Sequence, residues 1–157
     1  MIKIKLIAVG RVKEEYFRNA IAEYAKRLGA FCKFEIVEVK EENYSKCDDA
    51  SIKKILDVEG ERISSAMSGY CVAFAVEGDK ISSEGLAQKI KRLADKGESE
   101  ISFIIGGSYG LRDKIKSACK ERISLSDMTF PHTLTRVIVC EQIYRAFTII
   151  NGKEYHK

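Results

Sequence analysis

The chain has 157 residues, with 27 Lys and Arg against 23 Asp and Glu, for a formal net charge of +4. That length suits one domain, and apolar and charged fractions of 45% and 32% are those of an ordinary soluble globule. No apolar run approaches the roughly 18 residues of a membrane span, and the five cysteines form no C-x-x-C pair, which sets aside a zinc ribbon or a disulfide framework.

Met1 to Leu6 alternates like a strand and lacks the apolar core of a signal peptide, so a cytoplasmic protein is expected. Strand one runs from Ile2 to Val9 and ends at Gly10. A helix follows from Glu14 to Leu28, with Phe17, Ala20, Ile21, Tyr24 and Leu28 at helical spacing and Gly29 as its stop. Phe34 to Val39 is strand two, and the polar stretch Lys40 to Asp49 reads as a loop. Ile52, Ile55, Leu56 and Ile63 mark a second helix, with Gly60 a weak point inside it. Tyr70 to Val76 is apolar throughout and reads as a central strand, with Glu77 to Lys80 as its exit loop. Ser82 or Ser83 can cap the next helix, which turns Leu86, Ile90, Leu93 and Ala94 inward and stops at Lys96-Gly97.

Ile101 to Ile105 is strand four, and it breaks at Gly106-Gly107-Ser108-Tyr109-Gly110. A helix near Leu111 to Glu121 carries Leu111, Ile115, Ala118 and Cys119 on one face. Ile123 to Ser126 is strand five, followed by the loop Asp127 to His132. Leu134 to Ile150 is a last helix that is apolar on most of its faces, and Asn151 to Lys157 is a polar tail. This alternation of strand and helix defines an α/β protein with a largely parallel sheet. Cys32, Cys47, Cys71, Cys119 and Cys140 read as buried, reduced thiols.

Two loops that each follow a strand, set side by side, make a natural ligand crevice. The first has three glycines in five residues, more than one tight turn requires. A dinucleotide fingerprint would need glycine at position 105, where Ile105 stands. Close approach of the backbone to a ligand accounts for the surplus. The second loop offers the acceptors Ser126, Asp127 and Thr129 and the apolar Met128 and Phe130, a mix that suits an adenosine and equally an ordinary capping loop.

The whole excess of positive charge falls in residues 101–157, which favours an anionic partner near these loops. It is too small to capture bare nucleic acid by charge alone. The apolar girth of the last helix calls for a second subunit to cover it. Glu141 and Arg145 lie one turn apart on that helix, where partial desolvation would give the pair a site role. His132 and His156 lack metal-ligand spacing. Tyr155-His156-Lys157 places groups at the chain end that can stack on a base or hold phosphate.

Ile105 to Leu111, Ser126 to His132, Glu141 to Ala146 and the terminal Tyr155-His156-Lys157 together resemble the bacterial 23S ribosomal RNA pseudouridine N3-methyltransferase family, of the SPOUT or α/β-knot class. The resemblance covers essentially the whole chain, with no departure at the motif positions and Tyr109 in a variable slot. It implies a Rossmann-like sheet whose C-terminal segment is threaded into a trefoil knot, an exception to the rule against threading. It implies a homodimer and S-adenosylmethionine as methyl donor, without a metal. By motif, the donor would be held by Phe74, Gly106, Leu125, Ser126, Asp127, Met128, Thr129 and Phe130. His132, Glu141, Arg145, Tyr155 and His156 would serve the substrate, a pseudouridine in a stem-loop of large-subunit RNA on the assembled ribosome. N3 carries an imide proton that must leave, and His132, Glu141, His156 and water all stay open as its acceptor. The competing expectation is a ribosome-associated binding protein that keeps a nucleotide pocket without catalysis.

Overall fold

Strand and helix alternate without exception along the chain. The computed structural model describes residues 1–157. In order, the elements are β1 (Lys3–Val9), α1 (Glu15–Leu28), β2 (Lys33–Val39), α2 (Asp49–Ala66), β3 (Tyr70–Lys80), α3 (Ser83–Asp95), β4 (Glu100–Ile105), α4 (Asp113–Ala118), β5 (Glu121–Ser124) and α5 (His132–Ile150). The five strands form one parallel sheet in the order β2-β1-β4-β3-β5.

The sheet is apolar on both faces because helices cover both. Successive strand residues point to opposite sides. Thus Ile4 and Leu6 join one core with α1, α3 and α5, while Ile7 and Val9 join the other with α2 and α4. In β4, Ile101, Phe103 and Ile105 face the first core and Ile104 the second. The helices that follow β3 and β4 therefore leave to opposite faces of two adjacent strands. That is a topological switch point, and it opens a crevice at the carboxyl ends.

Several boundaries differ from the sequence expectation. Asp48 caps α2 by accepting from the Ser51 N–H at 2.8 Å, so Asp49 begins a helix rather than ending a loop. That helix runs unbroken through Gly60, because Arg112 lies across it there; a Cβ on Gly60 would come 2.9 Å from Arg112 Cδ. Glu77 to Lys80 is not an exit loop. Both Phe74 and Asp79 pair with Ile123, so residues 75–78 bulge out of β3 and the strand resumes. At Gly78 an added Cβ would meet the β5 backbone at 2.8 Å. Helix α4 stops at Ala118, which moves Glu121 into β5 and leaves Leu125 and Ser126 in the loop. Ala94 and Ala118 are exposed rather than inward. Ser82, not Ser83, caps α3.

Helix α5 packs between α1 and α3 of its own chain. Those helices bury Val139, Cys140, Ile143, Ala146 and Phe147. None of the exposed large apolar residues lies on α5. Intramolecular helices thus supply part of the cover for its apolar girth, while Leu134, Val137, Ile138, Tyr144, Ile149 and Ile150 stay half-buried.

One polar side chain lies deep in this packing. Arg136 of α5 is 2% exposed and donates to the Val9 and Gly10 carbonyls at 3.2 and 3.1 Å and to Glu38 at 2.5 Å. It ties the start of α5 to the carboxyl end of β1.

Cys47 is exposed, against the expectation of five buried thiols; the other four are buried. Burial pushes the Cys32 and Cys140 thiols up to about 12 and the Cys119 thiol up to about 11, and raises that of Cys71. A raised thiol is a poor nucleophile. A disulfide reagent at pH 8 should modify Cys47 alone in the native chain and all five cysteines after denaturation. Fast reaction of a second native thiol would contradict this packing.

Candidate active site

The glycine turn is built by the chain itself. The Gly110 N–H donates to the Gly107 carbonyl at 3.0 Å, and the two residues form an isolated antiparallel bridge. Gly110 takes φ +83°, the left-handed region that glycine adopts without a Cβ penalty. Gly106 is required for a different reason. A Cβ there would fall 2.4 Å from the Gly110 carbonyl carbon, so it would strike its own turn before it met any ligand. Behind the turn, a Cβ on Gly107 would come 3.1 Å from both Val9 and the buried Glu59 carboxylate. Desolvation raises the Glu59 carboxyl, which accepts from the Glu42 N–H at 3.0 Å and so pins the start of the 40–48 loop.

The second loop is held by short local bonds. The Ser124 hydroxyl donates to the Ser126 carbonyl at 2.9 Å, and the Ser126 hydroxyl accepts from the Met128 N–H at 3.0 Å. Pro131 then precedes α5, with φ −54°. Proline is preset for a helix start and lacks the N–H that would be unpaired there.

These two loops and the β3 bulge enclose a cleft of about 680 Å³. The sequence predicts the two loops side by side; instead β3 lies between β4 and β5 and supplies a third wall. Phe74, Ile105, Leu111, Leu125 and Phe130 give it apolar surface, and Ser108, Ser126 and Thr129 give it hydroxyls. His132 and Thr135 of α5 close one side, and the His132 ring makes no hydrogen bond within the chain. The sequence reading missed Glu77, Lys116 and Thr135, which reach the cleft from the bulge, α4 and α5. Lys116 donates to Glu77, and this bond holds the Glu77 carboxyl below its ordinary value.

Seven of the eight residues expected to hold a donor line this cleft: Phe74, Gly106, Leu125, Ser126, Met128, Thr129 and Phe130. Asp127 does not. Its side chain is 75% exposed and pairs with Lys80 at 2.5 Å. Nor does the positive excess of residues 101–157 collect here. Arg112 pairs with Asp57 and Glu61, Arg136 with Glu38, Arg145 with Glu141 and Lys116 with Glu77.

The remaining expected residues form a second group. Glu141 Oε1 accepts from Arg145 at 2.9 and 2.6 Å and from the Tyr155 hydroxyl at 3.1 Å. Gln142 donates to the other Glu141 oxygen at 2.8 Å. Arg145 also contacts His156 Nδ1 at 3.1 Å and lies 4.8 Å from the Tyr155 ring centre. His156 Nε2 meets Glu84 at 2.7 Å, a partner too remote in sequence for spacing to reveal. Burial, then hydrogen bonds with Tyr24 and Glu141, push the Tyr155 phenol well above its ordinary value, so it stays a neutral donor. Of the five substrate-side candidates, only His132 lies in the cleft. Thirteen residues separate it from Arg145 on α5, which is roughly 20 Å of helix. Within one chain the structure does not bring them together.

A parallel α/β sheet with a ligand cleft at its carboxyl edge, walled by a glycine turn and a helix start, defines the class of nucleotide-type binding folds. The family model described as "Predicted SPOUT methyltransferase" matches residues 2–156. Proteins named Ribosomal RNA large subunit methyltransferase H from Limosilactobacillus reuteri and Bacillus pumilus are 47% and 44% identical, each over 99% of this chain and 100% of the relative. Among solved structures, a probable methyltransferase from Bordetella pertussis aligns with TM-score 0.58 at 12% identity, over 93% of this chain and 95% of that one. The tRNA (m1G37) methyltransferase from Aquifex aeolicus aligns with TM-score 0.52 at 14% identity, over 99% of this chain and 73% of that one. The chain belongs to the SPOUT methyltransferase family.

The geometry of the turn makes a direct prediction. Gly106→Ala should cost about 3 kcal/mol of stability, because backbone must shift. Gly110→Ala faces open space and should cost only its left-handed strain, about 1 kcal/mol. Urea unfolding of both variants compares them, and equal losses would contradict the contact between Gly106 and Gly110.

Proposed function

We propose that this chain transfers a methyl group from S-adenosylmethionine to N3 of a pseudouridine in a 23S ribosomal RNA stem-loop, acting as a homodimer on the assembled ribosome in the cytoplasm. The observation that carries the reading is the cleft itself. Its volume falls in the range of small-molecule sites, and seven of the eight motif residues line it. Full-length identity to proteins named as large-subunit RNA methyltransferases supports the substrate class. The trefoil threading of the family goes with this reading.

The residues present fit the donor. Apolar side chains offer a slot for an adenine ring, and hydroxyls with the loop backbone offer partners for its polar edge. When bound, S-adenosylmethionine supplies an electrophilic methyl on a sulfonium centre. The chain must hold the acceptor nitrogen about 3–3.5 Å from that methyl and in line with it. His132 is the cleft's uncommitted imidazole and takes the N3 proton on this reading. Glu141 is a poor alternative, since Arg145, Tyr155 and Gln142 already occupy its oxygens.

The tail group acts across a two-fold axis. Roughly 20 Å of α5 separates it from the cleft of its own subunit. A closed dimer places the same patch of both subunits together, so each tail can close over the partner's base. Arg145 would then meet phosphate or the donor carboxylate, and Tyr155 would donate to the base.

Light scattering at micromolar concentration should give the mass of a dimer. Calorimetry with S-adenosylmethionine and methyl incorporation into purified ribosomes test the chemistry, and donor binding without transfer would favour the non-catalytic reading. Deleting Tyr155 to Lys157 should abolish transfer while leaving folding and dimerisation nearly intact. Thr129→Trp should fill the exposed rim of the cleft and silence it. Neither variant should act alone. Mixed dimers should regain activity, because one site then has an open cleft and a partner's tail. A mixture that stays inactive would remove the trans arrangement.

A further inference from the structure

The cations that the cleft lacks are found one strand away. The connection from β1 to α1 passes along the same carboxyl edge of the sheet, beside the glycine turn that follows β4. Here a second cavity of about 720 Å³ lies between that connection, α1, β2 and the start of α5. Arg11, Lys13, Arg18 and Arg136 line it, with Glu38 as the single acid. That leaves three positive charges unbalanced in one cavity of a chain whose total is +4.

These cations differ in role. Arg136 is buried, and its Nε has no partner, although its other nitrogens hold Glu38 and two carbonyls. Arg18 braces the connection by donating to the Val12 and Lys13 carbonyls. Arg11 and Lys13 are exposed and form no ion pair, unlike Arg112, Lys116 and Arg145. The fold thus presents two free cations on a loop made rigid by Arg18 beneath and by Arg136 behind.

The cavity adjoins the cleft. Arg136 follows His132 by one helical turn, about 5.4 Å. Thr135, which lines the cleft, and Arg136, which lines the cavity, are consecutive residues of α5. A polyanionic strand with one base in the cleft carries its neighbouring phosphates past whatever adjoins that cleft. Arginine and lysine fit phosphate oxygens by charge-assisted hydrogen bonds, and such contacts position a strand without reading its sequence.

We infer that this cavity seats a backbone phosphate of the RNA strand that flanks the methylated nucleotide, with Arg11 and Lys13 as the contacting groups. The inference rests on the methyltransferase reading above. It adds a contact on the N-terminal half of the chain, where the linear sequence carries no net charge.

The test is the double variant Arg11→Gln/Lys13→Gln, beside the charge-preserving Arg11→Lys/Lys13→Arg. Methyl transfer to ribosomes should show KM raised about tenfold or more by the neutral pair, with kcat at saturation held. Binding of a fluorescent RNA stem-loop should lose about 1–2 from its log–log salt slope, as expected for lost phosphate contacts. The charge-preserving pair should restore both. Affinity for S-adenosylmethionine should stay unchanged in all three proteins. An unchanged KM and salt slope in an enzyme that methylates ribosomes would overturn the phosphate site and leave the functional reading standing. A neutral pair that alters the dimer mass would make the cavity a subunit contact and would also overturn it. If the unmodified chain binds the donor but methylates no RNA, the functional reading fails first, and the phosphate assignment falls with it.

Discussion

A guanidinium with almost no exposure holds this molecule's two halves in register. Arg136 joins the carboxyl end of β1 to the second turn of α5, and its partners are Glu38 and two main-chain carbonyls. Burying an ion is costly unless its hydrogen bonds are met. Here the carbonyls of Val9 and Gly10 stand where β1 has run out of neighbours on that side, so the arginine satisfies acceptors that would otherwise stay unpaired. The unpartnered Nε is a residual cost. Because the tie falls at the start of α5, it fixes where His132 and Thr135 meet the cleft, and so where the glycine turn finds its opposite wall.

The strands and most helices were legible because their apolar residues follow period 2 or 3.6, and tertiary packing agrees with both. What escaped depends on partners remote in sequence. The β3 bulge exists because Phe74 and Asp79 share Ile123 as partner, and no local pattern in Glu77 to Lys80 encodes a strand 40 residues on. The tight contact of Gly106 with Gly110 is a property of the folded turn, invisible in a list of glycines. The apolar girth of α5 is legible in the sequence, but the part of its cover that α1 and α3 supply is not. Asp127 shows the same limit at the site. Composition made it an acceptor beside a ligand, while in the fold it pairs with Lys80.

Charge illustrates most plainly how a linear pattern misleads. Residues 101–157 hold the whole positive excess, yet Arg112, Lys116 and Arg136 are paired with acids from elsewhere in the chain and Arg145 with Glu141 beside it. The unpaired cations that line the cavity beside the cleft come from the β1–α1 connection, in a half of the sequence with no net charge. Folding has moved the useful charge from one segment to another, and only the three-dimensional pairing shows it.

That separation suits the proposed chemistry. A sulfonium donor is itself a cation, and RNA is a dense polyanion. A free lysine inside the cleft would repel the first while attracting the second. At an effective dielectric near 20, two like charges about 4 Å apart cost about 4 kcal/mol, enough to weaken donor binding a thousandfold. Lys116, the one lysine that reaches the cleft, is paired with Glu77 and so adds no net charge. Arg11 and Lys13 line the neighbouring cavity and not the cleft, where they can draw phosphate without facing the sulfonium. A site that must accept a cation and an anion side by side is served by such a division, and in this fold the consecutive residues Thr135 and Arg136 of α5 line the cleft and the cavity in turn.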